Sequence, residues 1–155
     1  MNSTEALLAK LLELRATLRP APSAEAVATA EETLESRFPD GVRDFYRCCD
    51  GVEDATAEWI WDFFSLQRMI ERTLDRRENE SLLLYGGERL PYRNLVCFCD
   101  VLIDAPTYLF CGDRDSSNYG RFYADQGETG WLVAGSYEEF VEVFLLQNAD
   151  ILLNA

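Results

Sequence analysis

Residues 30–51 read AEETLESRFPDGVRDFYRCCDG, and their punctuation frames the rest of the chain. Ser23 is a natural N-cap, and Val27, Ala30, Leu34 and Phe38 follow at helical spacing, which predicts a helix from residue 24 onward. Pro39 ends that stripe and suits the first turn of the next helix, because proline lacks the N–H that a helix interior needs. Val42, Phe45, Tyr46 and Cys49 form a further stripe, with Gly51 as its left-handed stop.

Upstream, Leu7, Leu8, Leu11, Leu12 and Leu18 predict an amphipathic helix over about residues 4–18. Arg19-Pro20-Ala21-Pro22 breaks it. Downstream, Trp59-Ile60-Trp61 reads as a short strand, and Ser65 opens a helix with Leu66, Met69, Ile70 and Leu74 inward. Residues 75–81 (DRRENES) read as a charged, solvated linker. The period then shortens. Residues 95–99, 107–111, 119–124 and 130–134 are short runs rich in aromatic, β-branched and Cys residues, and turn clusters GDRDSSN (112–118) and DQGETG (125–130) punctuate them. That pattern predicts an antiparallel meander. Ser136 and Glu139 form a capping box for a last helix whose apolar residues are Tyr137, Phe140, Val141, Phe144 and Leu145.

Helices first and strands later predict an α+β class: a single, mostly antiparallel sheet of about five to six strands packed by about five helices. Phe38, Phe45, Phe98, Phe122, Trp131 and Phe140 are the expected core. The length of 155 residues suits one domain over 1–155, with an N-terminal helical segment at 1–19 and a tail at 150–155.

Charge narrows the function classes. Lys and Arg number 14 against 28 Asp and Glu, a formal net charge of −14. A nucleic-acid binder must neutralise phosphates with bases, so this balance argues against one, and equally against an anionic membrane surface. No apolar run approaches the ~20 residues of a membrane span. The stretch MNSTEALLAKLLELRATLRP lacks the basic and continuous apolar regions of a signal peptide, so the cytoplasm is the expected compartment. Histidine is absent from the sequence. The usual general base, the Ser-His and Cys-His pairs and imidazole metal ligands are therefore unavailable. No catalytic residue and no cofactor is assigned.

The five cysteines are Cys48, Cys49, Cys97, Cys99 and Cys111. Cys97 and Cys99 are expected on one strand face. Neither C-C nor C-x-C matches the knuckle spacing of structural zinc, so reduced, metal-free core thiols are expected. Asp113-Arg114-Asp115-Ser116-Ser117 opens like a calcium loop. Its sixth position is Asn118 instead of Gly, and its twelfth is Ala124 instead of Glu. Asp, Ser and Asn also build turns by bonding their own backbone, so no metal is assigned. Gly86-Gly87 reads as a turn, and the Glu31/Glu35 pair as a solvated face.

The acids are unevenly placed. Residues 48–67 carry Asp50, Glu53, Asp54, Glu58 and Asp62 and no base; residues 122–155 carry Asp125, Glu128, Glu138, Glu139, Glu142 and Asp150 and no base. Such asymmetry builds a negative field that steers a basic partner, and it serves solubility equally well. Trp59 and Trp61 alternate about Ile60, a pattern shared by core residues and binding hot spots.

The motifs of residues 24–146 resemble the SUKH superfamily, the group that includes fungal cell-wall assembly regulators. Ala30-Glu31, Leu34, Phe38-Pro39, Phe45-Tyr46 and Asp50-Gly51 correspond to its Ala-Glu, Leu, Leu-Pro, aromatic helix and Asn-Gly. Residues 95–134 and Ser136-Tyr137-Glu138-Glu139-Phe140 look like its later strands and closing helix. Asp50 stands for Asn, Phe38 for Leu, and DVLIDAP (100–106) for a glycine-rich segment. The resemblance implies an α+β binding module, and for bacterial members an immunity protein that neutralises a toxin, often a nuclease. The expected partner is a basic toxin domain docking on Asp50, Glu53, Asp54, Glu58 and Trp59, with Glu138, Glu139 and Glu142 as the second candidate face. A regulatory or scaffold domain is the alternative, and a carboxylate-dependent enzyme the third. The oligomeric state is open.

Overall fold

The structure, a computed structural model, describes residues 1–53, 61–101, 106–127 and 129–148. Among them are helices α1 (Ser3–Glu13), α2 (Ala24–Thr33), α3 (Asp40–Cys48), α4 (Leu66–Arg76) and α5 (Tyr137–Gln147). The strands are β1 (Trp61–Phe63), β2 (Ser81–Leu84), β3 (Arg89–Pro91), β4 (Leu95–Val101), β5 (Thr107–Cys111), β6 (Phe122–Asp125) and β7 (Thr129–Ala134). They form one seven-stranded sheet in the order β1-β4-β5-β6-β7-β2-β3. The expected meander is present as β4-β5-β6-β7, all antiparallel, whereas β2 joins β7 in parallel. The α+β class holds, with seven strands instead of the expected five to six: β2 and β3, not read from the sequence, make a hairpin whose turn contains Gly86-Gly87.

Ser23, Ser65 and Ser136 cap α2, α4 and α5 through their hydroxyls, as their positions predict. Two helices stop earlier than their apolar stripes suggest. In α1 the chain turns left-handed at Arg15 (φ 64°), and the Ala16 N–H donates to the Leu11 carbonyl. In α2 the same pairing occurs at Glu35 (φ 49°), with the Ser36 N–H donating to Glu31. Both are Schellman endings made without glycine. Leu18 therefore leaves the helix and bridges to Val52, while Phe38 is buried from a loop.

Phe98 lies at the centre of the core. Its ring packs against Phe45, Tyr46, Phe63, Phe110, Phe122 and Phe140, with centroids 5.2–6.2 Å away. Such tilted and edge-on pairs add attraction beyond area burial. A β-bulge makes this possible: Cys97 pairs with Leu109 and Cys99 with Tyr108, leaving Phe98 as the extra residue. The bulge also puts Cys97 and Cys99 on opposite faces, contrary to the alternation expected from their spacing. Cys97 lies on the α4 face, where its N–H donates to the Thr73 hydroxyl (2.9 Å). Thr73, not Leu74, is thus the buried residue of α4's third turn, and Leu74 is exposed.

The α4 face carries a second ordered feature. Cross-strand pairing aligns Asp62, Asp100, Thr107 and Asp125 in one rung across β1, β4, β5 and β6. Above it, Arg68, Arg72 and Arg76 repeat every four residues along α4, and each meets an acid: Asp62, Asp100 (2.9 Å) and Asp125 (2.6 Å). Arg76 also donates to the Thr107 hydroxyl, which donates to Asp100, both at 2.6 Å. Asp125 is fully buried and accepts further bonds from the Tyr92 hydroxyl and the Gly127 N–H (2.8 and 2.7 Å). Burial is the largest influence and works against the Arg76 charge, but Asp125, Cys97, Tyr92 and Asp100 together outweigh it and hold the guanidinium above its ordinary pKa. Arg76 and Arg77 are therefore interior cations, not parts of a solvated linker; Arg77 donates to the Leu34 carbonyl at 2.8 Å.

Trp131 departs from the expected core. It is half-buried and stacks on exposed Tyr85 (centroids 5.8 Å, 7° between planes). The Tyr85 N–H donates to the Gly130 carbonyl, which sets the hairpin end beside β7.

Gly51 has φ +74°, and a Cβ there would lie 2.4 Å from the Phe63 carbonyl oxygen. Gly51→Ala is expected to cost at least about 3 kcal/mol in chemical denaturation, from left-handed strain plus a backbone clash. Arg76→Met should cost about 3–5 kcal/mol, since it strands the buried Asp125 charge. Adding Asp125→Leu should recover part of that loss, which the same denaturation curves would report.

Candidate binding surfaces

The acidic segment begins where α3 ends. Gly51 lets the chain turn against β1, and the Val52 N–H donates to Phe63 (3.0 Å) while the Tyr46 hydroxyl donates to Phe64 (2.7 Å). Residues 17–19 run alongside: the Arg19 N–H donates to the Gly51 carbonyl at 3.0 Å, and the Glu53 N–H donates to Thr17 at 2.7 Å. Asp50 is half-buried, and its carboxylate accepts the Leu66 N–H (2.8 Å), tying the turn to the start of α4. Glu53 is exposed. Asp54, Glu58 and Trp59 lie outside the described residues.

Asp62, expected to belong to an uncompensated run, is buried and paired with Arg68. Burial pushes its carboxyl above the usual range, against the pull of that guanidinium. Arg68, the first residue beyond the acidic run and presented by α4, cancels this charge. Trp61 is core, stacked on Tyr108 at 5.1 Å.

On α5, Glu138, Glu139 and Glu142 are all exposed. Glu138 and Glu142 are one turn apart and share a face. Glu139 has a second task. Its backbone N–H bonds the Ser136 hydroxyl, and its carboxylate accepts the Gly135 N–H (2.8 Å), one residue earlier than in a standard capping box. The helix is anchored by Tyr137, whose hydroxyl meets Thr4 of α1 at 2.9 Å and whose ring fills the space a Cβ on Gly41 would occupy.

Sequence reasoning missed a furrow between α2, α3 and the β5–β6 loop. Two adjoining clefts of about 470 and 500 Å³ share Arg37 and Arg114. The Arg37 N–H donates to the Gly112 carbonyl (2.8 Å), which joins the two loops that carry these arginines. A pairing of loops distant in sequence has no periodic signature, which is why only the fold reveals it. The Asp113–Asn118 segment is held by its own turns: Asp113 accepts the Asp115 N–H, and Ser116 the Asn118 N–H. Among the described residues, no group of three or more Cys, Asp or Glu is placed to hold a metal ion.

All five thiols are free; Cys48 is exposed and the others are buried. Burial pushes Cys49 and Cys97 up to about 11, Arg76 opposing the shift at Cys97. A family model described as the SMI1 / KNR4 family (SUKH-1) matches residues 21–143. No curated protein matches the chain.

A thiol reagent at pH 8 should titrate Cys48 quickly and the other four only after unfolding. Unfolded thiols ionise near ~8.5. Folded pKa values raised above that favour the protonated native state, so their contribution is complete below pH 8.5 and lost as pH rises toward 11. Thermal unfolding midpoints measured from pH 8 to 11 should fall across that window, and less so in a Cys97→Ala variant.

Proposed function

The chain belongs to the SMI1 / KNR4 family (SUKH-1), and on that premise we propose that it is a non-catalytic protein-binding domain, an immunity protein that neutralises a basic toxin, with a nuclease as the fitting class. The proposed compartment is the cytoplasm, and neither nucleic acid nor membrane is a partner. The observation that carries the reading is charge: a net −14, with exposed acids at Glu53 and along α5 that form no ion pair among the described residues. A nuclease presents Lys and Arg that otherwise contact phosphate, and an acidic surface occupies them.

Binding without catalysis agrees with the titratable groups. Tyr119 and Tyr137, which line the larger cleft, are both raised by burial, and so are the buried thiols. Groups held protonated at neutral pH are poor nucleophiles and poor bases. The proposed docking face is the segment after the Asp50-Gly51 turn, with Glu53, Asp54, Glu58 and Trp59. The exposed α5 acids Glu138, Glu139 and Glu142 form the second candidate face. Within the first face Asp50 also has its cap to α4 to maintain, so it contributes position as well as charge.

Capture from the native host should yield a basic protein. Its association, followed by stopped-flow, should slow about tenfold between 50 and 500 mM salt, since screening shortens the reach of the field. Replacing Glu53, Asp54 and Glu58 with Ser should slow association several-fold at low salt and leave the fold intact. Slowing instead by Glu138→Ser with Glu142→Ser would transfer the interface to α5. A neutral or acidic partner whose rate ignores salt would overturn the reading.

A further inference from the structure

Of the thirteen arginines, eight have a side-chain hydrogen bond or ion pair among the described residues. Half-buried Arg43, Arg72, Arg76 and Arg77 donate to Glu31, Asp100, Asp125 and the Leu34 carbonyl. Arg37, half-buried like Arg19, makes neither a side-chain ion pair nor a side-chain hydrogen bond among the described residues, and neither does exposed Arg114; unlike Arg19, these two share a cleft. Desolvating a guanidinium without a partner is unfavourable. Both face the same cleft of about 500 Å³, which Asp40, Tyr119 and Glu138 also line. Burial raises Tyr119 while Arg37 and Arg114 pull it the other way, so the three share one local field. Neither Asp40 nor Glu138 comes within 4 Å of an arginine nitrogen among the described residues. The cleft is thus bipolar: two open guanidinium forks and two open carboxylates.

We propose that this cleft binds a carboxylate side chain carried on a loop of the protein partner, with Arg37 and Arg114 taking the carboxylate and Asp40 and Glu138 accepting from a basic neighbour on the same loop. This rests on the reading of the chain as a binder of a basic protein, and adds what sets its register. Diffuse acidic surface attracts any basic protein, whereas an arginine pair repels a loop made only of bases and selects one with an acid among them. Two planar forks suit a carboxylate because each can donate a pair of parallel bonds. The fold holds the site rigid through the Arg37–Gly112 backbone bond, which survives replacement of either side chain.

The site can be tested without the partner. Glutarate and the capped tripeptide acetyl-Lys-Glu-Lys-amide would be titrated into the intact protein while backbone amide shifts are followed by NMR. Saturable shifts at Gly41, Arg114 and Gly120 are expected, with the tripeptide tighter than glutarate. Arg37→Ser with Arg114→Ser should weaken both at least tenfold while thermal unfolding stays unchanged; Arg37→Lys with Arg114→Lys should give an intermediate loss. Shifts that are absent, that persist in the Ser variant, or that chloride reproduces at equal ionic strength would overturn the proposal. With the captured partner, the Ser variant should raise the dissociation rate about tenfold and leave association nearly unchanged. If the acidic face proves necessary but this variant dissociates like wild type, the cleft proposal falls and the basic-partner reading stands.

Discussion

Three arginines one turn apart on α4 meet three aspartates of a single rung of the sheet, and much of the architecture is arranged around that match. Four helical residues rise about 6 Å and neighbouring strands lie about 4.8 Å apart, so helix and sheet spacings differ and the long arginine side chains take up the difference. At β5 Thr107 stands in place of an acid and relays a bond from Arg76 to Asp100. A buried ion pair is weak evidence for stability, because desolvation consumes most of the attraction. Its strength here is specificity. A slip of one residue in any of these strands would send an aspartate to the aromatic face.

The opposite face is apolar and is organised around Phe98. The two faces are coupled by the bulge at that residue. It adds a ring to the core and leaves the Cys97 N–H to Thr73, so aromatic packing on one side and seating of α4 on the other depend on the same backbone irregularity. The Asp50-Gly51 turn is the third tie. Its carboxylate caps α4, its glycine admits the Phe63 and Phe64 carbonyls, and it emerges directly into the acidic segment. A rigid origin for that segment suits recognition, because less ordering entropy opposes docking.

On the proposed reading, function on this frame is a matter of charge placement. Acids used by the fold, Asp62, Asp100 and Asp125, are cancelled by α4, so the negative field seen by a partner comes from the others. Glu53 and the α5 acids remain exposed to provide it. Arg37 and Arg114 interrupt the field at one cleft, and a local reversal of sign distinguishes partners better than uniform charge does.

Capping serines, the meander, the aromatic stripes and the closing helix were readable from the sequence because each depends on residues within a few positions of one another. So was the family, whose signature from Ala30 to Gly51 is local. The early ends of α1 and α2 were not readable, since Arg15 and Glu35 adopt a conformation that only glycine announces in sequence. The hairpin β2–β3, which begins where the charged linker ends, has strands of only four and three residues, and it is completed by a parallel neighbour, β7, distant in the chain. Among the site residues, exposure of Glu138, Glu139 and Glu142 follows from helical periodicity. The pairing of Arg76 with Asp125, the opposite facing of Cys97 and Cys99, and the placing of Arg37 and Arg114 on one cleft were decided by tertiary structure alone. Register, bulges and loop-to-loop contacts are set by packing between segments far apart in the chain, and no local pattern of residues encodes such distances.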